Sequence, residues 1–490
     1  MNYPTSDYLS GNDARRLTTV ATAILALVLA GCAPLPPKDP EPVFATARAG
    51  DLVADASTPA ASAPASAGLA RGDYGDAQLG RLLALALQDS PTMAVAQARV
   101  RQADATAGQA QASAGANLAL DGSATRERYP EHSIYPPPIA GSWRTSGHVA
   151  LDFSYDFDFW GRNRQALDAA LGRAAAARAD AQAAAATLAA GVAKTYFQWQ
   201  AADQHLQVAQ QVEMQREALV ERQARRVHAG LAPGADLAPL NADVAAPRQT
   251  IVQLQTQRAQ AERQLQALVG VHALPALQPA PLPVPAAIET ADLRLDLLSH
   301  RPEVAAARDR VQAALKDVDA QRAAFYPDVS ISALAGFDAL QLGSLLHGSN
   351  REIAATPAIH LPIFDAGRLR AGLDSKRADV ALAIAQYDQA LQQAVADVND
   401  ATVRLQGAQR EAAPLAGQRR GRERDLANAK AREQAGLIDG QQRLVDELVL
   451  TALQDQDVGL RLQTLVARID LDRALGGALP AAASVADATR

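Results

Sequence analysis

"HVALDFSYDFD", residues 148–158, alternates without a slip: Val149, Leu151, Phe153, Tyr155 and Phe157 fall on one side of an extended chain, Ala150, Asp152, Ser154, Asp156 and Asp158 on the other. A period of two is that of a β-strand with one apolar and one wet face. Three further stretches alternate more weakly: "NLALDGSATR" from Asn117, "PDVSISALAGF" from Pro327 and "IAATPAIHLPIF" from Ile353. Eight of the twenty aromatic residues lie within 117–160, as an outward apolar band flanked by interfacial girdles requires. The count is four strands, in two pairs.

Around these strands the period changes to that of a helix. Residues 77–116 read as alanine-rich helix, and Trp160 to Ala229 contains no proline. At about 1.5 Å per residue, such a segment would extend roughly 105 Å. A turn at Gly230–Gly234 reverses the chain. The returning segment places Leu237, Leu240, Val244, Ile251, Leu254, Ala261, Leu265 and Leu268 in steps of three and four, a heptad seam. In the second half Leu444, Leu448, Thr451, Val458, Leu462, Leu465 and Ile469 follow the same rule. There Leu450, Leu453, Leu460, Ala467 and Leu471 add an offset stripe. Two stripes imply two packing neighbours, as for a stave in a cylinder of helices. Pro247 and Pro414 predict kinks.

The two halves resemble each other. "SPTMAVAQARV" (90–100) matches "RPEVAAARDRV" (301–311), "WGRNRQALDA" from Trp160 matches "AGRLRAGLDS" from Ala366, and "AGLAPGADL" from Ala229 matches "AGLIDGQQR" from Ala435. The last two pairs share one offset of 206 residues. A unit that recurs only twice is a duplication, not a solenoid. The organisation expected is a first repeat over 76–270 (helix, two strands, long helix, return helix), a proline-rich connection over 271–290, a second repeat over 291–478 and a tail over 479–490.

Before the repeats, Arg15 and Arg16 precede an apolar run too short to span a bilayer, which reads as a signal peptide over 1–31. Leu29, Ala30 and Gly31 then lead into Cys32, the only cysteine, in an order that resembles the lipobox of bacterial lipoproteins. By that resemblance Cys32 becomes a lipidated N-terminus, with Ala33 directing it to the outer membrane. More than one acyl chain is needed for a stable anchor, and a lipidated N-terminal cysteine has that. Residues 32–75, rich in proline, alanine and serine, read as an extended tether.

A net charge of −6 gives no electrostatic footprint for nucleic acid. With Cys32 consumed by lipid there is no disulfide framework, and the expected cofactor list is empty apart from that lipid. His132, His148, His228 and His360 show no metal-ligand spacing, and no phosphate loop, nucleophile elbow or dinucleotide fingerprint occurs. No metal and no enzymatic activity are expected. Past residue 31 no apolar run reaches about twenty residues, so a membrane crossing must be a closed β-barrel. Four strands cannot close one, since the smallest use about eight. Two copies would give eight strands and three would give twelve; only the larger leaves room for a channel.

The segments "RPEVAAARDRV", "FYPDVSISA", "LPIFDAGRLRAG" and "YDFDFWGRNR" resemble the signatures of the outer-membrane efflux protein (TolC-like) family, specifically its NodT-like lipoprotein branch. The resemblance covers about residues 76–478. It implies a mixed, mainly helical fold: a trimer with a twelve-stranded outer-membrane β-barrel, four strands per chain, continued by a twelve-helix periplasmic α-barrel. It implies a passive exit duct for drugs or other small toxic compounds, working with a periplasmic adaptor and an inner-membrane pump. A type I protein-secretion duct shares that architecture. A periplasmic adaptor lipoprotein would instead carry one hairpin between split lipoyl halves, against the duplicated strand pairs. By the same resemblance Gly230, Leu231, Gly436 and Leu437 stand at the adaptor-contact turns, and Asp439 and Asp446 are gate candidates or merely capping, solvated acids. Asp152 and Asp156 line the channel if the aromatic face meets lipid.

Overall fold

Serine before proline sets the first boundary. Ser90 precedes Pro91, whose ring disfavours helical geometry at the residue before it, and Ser90 is extended at ψ 131°. The helix expected over 77–116 is therefore two, α1 (Ala77–Asp89) and α2 (Pro91–Ser113), with Pro91 at the first helical position, where its missing N–H costs nothing. In the computed structural model residues 74–132, 134–285 and 301–476 are described. Cys32, the leader, all but the end of the tether, residues 286–290 of the connection and the 479–490 tail lie outside them.

The order continues with β1 (Asn117–Arg128), β2 (Trp143–Phe157), α3 (Arg162–His228), α4 (Leu237–Asp243) and α5 (Ala245–Val269). The second half gives α6 (Pro302–Ala323), β3 (Asp328–Ala339), β4 (Arg351–His360), α7 (Arg368–Gln434) and α8 (Gly440–Ala474). Both α2 and α6 begin on proline, and α3 and α7 are each 67 residues long. The return helix of the first half is broken at Val244. Pro247 has no N–H to offer the Asp243 carbonyl four residues back, and Arg216 Nη1 donates to that carbonyl instead, at 3.0 Å. Pro414, by contrast, sits inside an unbroken α7.

The chain forms two compact units that cut across the repeats. One comprises residues 103–174 and 309–384; the other comprises the remaining described residues.

The first unit holds one antiparallel sheet in the order β1-β2-β3-β4. Its register aligns the alternation of all four strands. Leu120 faces Leu151, Leu151 faces Ala335 and Ala335 faces Ile353, which makes one apolar face. Asp121 faces Ala150, Asp152 faces Leu334 and Ser332 faces Thr356 on the other. Gly336 permits the close β2–β3 approach, since a Cβ there would come within 2.3 Å of the Val149 carbonyl oxygen. At the foot of the sheet the Trp160 ring stacks on Tyr326 at 4.5 Å, and its Nε1 donates to the Pro327 carbonyl. The Asp158 carboxylate accepts from the N–H groups of Asn163 and Arg164, and Asp365 accepts from Gly367 and Leu369. Each acid thus caps the start of a long helix.

The core of the second unit gathers Leu79, Val192, Tyr196, Phe197, Trp199, Leu265 and Leu465. The proline-rich connection is pinned here and is not a free linker over its described part. Gln78 and Gln200 accept from the backbone N–H groups of Gln278 and Ala280, and Gln204 donates to the Ala280 carbonyl. Tyr196, pushed up to about 12 by burial and by its hydrogen bond to Asp76, is held protonated beside them. Every residue of both α8 stripes is buried or half-buried, as two packing neighbours require.

Candidate functional site

Two places have a geometry that the fold alone does not demand. The first is the sheet. Its apolar face is bare: Leu120 is 71% exposed and Ile353 82%. Contiguous exposed apolar surface of this kind marks contact with lipid or a partner. β1 and β4 are each paired on one side only, so both edges present unpaired backbone groups.

The opposite face is wet and acidic. Asp152 and Asp156 stand on it, half-buried and exposed respectively, together with Asp121, Asp338 and Glu352. Its arginine, Arg144, directs its guanidinium to Ser142 Oγ and the Pro138 carbonyl. The register also brings together three residues that sequence spacing kept apart. His148 Nδ1 lies 3.5 Å from Asp338 Oδ2, and one donor atom from each of His148, Asp338 and Glu352 lies within 4.8 Å of the others. Histidine spacing along the chain could not show this, because the three sit on three different strands.

The second place is the pair of interhelical turns. Gly230 and Gly436 have φ of 71° and 72°, the left-handed geometry that glycine adopts without strain. In each turn the N–H of the following leucine reaches the carbonyl five residues back, Leu231 to Arg226 at 2.8 Å and Leu437 to Arg432 at 2.9 Å. These are Schellman caps, in which that following residue ordinarily folds onto an apolar side chain of the last turn. Here that position is arginine both times, and Leu231 and Leu437 remain 72% and 70% exposed.

Ion pairs knit the turns together. Arg226 Nη1 contacts Asp439 Oδ2 at 2.5 Å and donates to Gln441 Oε1 at 2.9 Å. Glu433 bridges Arg222 and Arg443. Burial works against the charge of Arg443, but its hydrogen bonds to Glu447 and Glu433 outweigh it and hold the pKa above the ordinary value. Asp439 also caps α8, accepting from the Gln441 N–H, so the capping role is present beside its ion pair with Arg226. Asp446 accepts from Gln442 one turn before it and takes no part in the Arg226 contact.

A sheet with one lipid-suited face and two open edges, on a chain whose helices carry heptad seams, defines a subunit of an outer-membrane channel. The chain belongs to the outer membrane efflux protein family, whose sequence pattern matches residues 82–271 and 293–477. It is 31% identical over 416 residues to the multidrug resistance outer membrane protein MdtQ of Escherichia coli O157:H7, covering 83% of this chain and 87% of that one. To the multidrug resistance outer membrane protein MdtP of Escherichia coli K12 it is also 31% identical, covering 82% and 84%. Among solved structures, the outer membrane protein VceC of Vibrio cholerae superposes with a TM-score of 0.73 at 32% identity, over 82% of this chain and 97% of that one. The protein is an outer-membrane efflux channel with a mixed, mainly helical fold.

Proposed function

We propose that three copies pool their strands into a twelve-stranded barrel and their helices into a periplasmic α-barrel, forming the passive exit duct of a tripartite drug-efflux system. The observation that carries this is the pair of open edges on a lipid-suited sheet. In lipid, each unpaired backbone group costs several kcal/mol, so the edges must be closed by copies of the same chain. The acidic face, with Asp152 and Asp156, then lines the lumen, and Cys32 carries the lipid that anchors the N-terminus.

The exposed leucines after Gly230 and Gly436 receive a periplasmic adaptor, which joins the duct to an inner-membrane pump. The Arg226–Asp439 pair latches the two turns of one protomer in the resting state. Both side chains are over a third exposed, so the latch contributes no more than about 1 kcal/mol and an adaptor can undo it. Asp446, about two turns further along α8, adds negative charge at the entrance. The duct has no catalytic role and no energy source of its own.

Planar-bilayer recording tests this. Purified protein should give discrete, cation-preferring conductance steps, and Arg226→Ala should enlarge them. Membranes that stay silent at protein densities that incorporate known porins would refute the duct.

A further inference from the structure

We propose that His148, Asp338 and Glu352 form a binding site for a divalent metal ion of the Zn2+ class on the polar face of the sheet, near its loop end. The site goes beyond the duct reading; only its position in a lumen rests on it. The β2–β3 register sets His148 opposite Asp338, and the β3–β4 register sets Glu352 opposite Gly336, two residues before Asp338 on the same face. Gly336 has no side chain to obstruct the Glu352 carboxylate on its way to Asp338.

Distances and charge both favour an ion. Two donors each about 2.1 Å from a tetrahedral zinc stand about 3.4 Å apart. The His148 Nδ1–Asp338 Oδ2 separation is 3.5 Å, so that pair already has the bite, and an exposed glutamate closes the rest by rotating its side chain. Among the described residues no lysine or arginine pairs with either carboxylate. Arg144 on the same face is committed to Ser142 and Pro138, and Arg351 donates to the Gly348 carbonyl. Two carboxylates brought this close, with no lysine or arginine paired to either, favour an external cation beside the His148 imidazole. One imidazole nitrogen with two carboxylate oxygens suits zinc and its neighbours, whereas Ca2+ and Mg2+ favour oxygen donors throughout. Three protein donors leave coordination positions open to water or an anion. A bound ion would clip β2, β3 and β4 together and place positive charge on an acidic wall.

Isothermal titration of ZnCl2 into metal-stripped, full-length protein in detergent tests the site. One saturable equivalent per chain is expected, weakened about tenfold or more by His148→Gln and by Glu352→Gln, with unchanged far-ultraviolet circular dichroism. A large excess of CaCl2 should not displace it. Absence of saturable binding, unaltered affinity in both variants, or displacement by calcium would each overturn the assignment. Because binding is read without conductance, a protein that binds zinc and does not conduct refutes the duct and leaves the site standing.

Discussion

Leu231 and Leu437 are the clearest instance of residues kept where packing does not want them. Each follows a left-handed glycine, and each stays exposed because the side chain that should cover it is an arginine. Replacing an exposed side chain away from packed features changes stability by within about 0.5 kcal/mol, so a functional defect there would not come from unfolding. In cells lacking the chain, Leu231→Asp combined with Leu437→Asp should fail to restore drug resistance while reaching the outer membrane in normal amount. Full resistance with the double variant would remove these leucines from the adaptor contact. The glycines were legible in the sequence because a reversal needs positive φ. The helix-capping role of Asp158 was not, since its partners are backbone N–H groups that exist only once the strand bends into α3. The approach of His148 to Asp338 and Glu352 was invisible for a related reason: it depends on two registers at once, and periodicity fixes faces without fixing register.

At the scale of elements, hydrophobic period did most of the work and special residues did the rest. The alternation of Val149 to Phe157 identified β2 and both its faces. The strand nevertheless begins earlier, at Trp143, where Thr145 and Gly147 carry no hydropathy contrast. Ser90-Pro91 splits the first helix, a boundary present in the sequence as a pre-proline residue but masked by the helix-favouring alanine run around it.

Arg301, just before α6, shows what holds the second unit's helices. It is 3% exposed, and its guanidinium donates to the Ala394 carbonyl and, at 3.0 Å, to Asp397 Oδ2, with Arg473 nearby. Burial raises the Asp397 pKa, but hydrogen bonds from Gln393 and Arg301 and the charges of Arg301 and Arg473 outweigh it, leaving it below the ordinary carboxylate value. A depressed folded-state pKa means that the carboxylate stabilises the fold above its unfolded value, near 4, and that this contribution is lost as pH falls through the folded value. Asp397 keeps Gln393 and Arg473 as partners, so Arg301→Leu should cost on the order of 1.5 kcal/mol at neutral pH, with the gap to wild type narrowing in acid. Chemical unfolding followed between pH 3 and 7 checks this; a gap that is constant with pH would show that the pair is not the cause.

Among the described residues, duplication explains why the proline-led helix, strand pair, 67-residue helix, glycine turn and return helix each occur twice. It also explains why one chain is insufficient. Two strand pairs make a sheet with a lipid-suited face but leave both edges open, and the sequence shows this as a strand count too small for closure. What the count left undecided was eight strands against twelve, and the acidic face favours the number that leaves a lumen. The central claim is therefore a stoichiometry. Native mass spectrometry of the full-length protein released from detergent should give a single species of three chains. A monomer, or a dimer with its eight strands, would contradict the account.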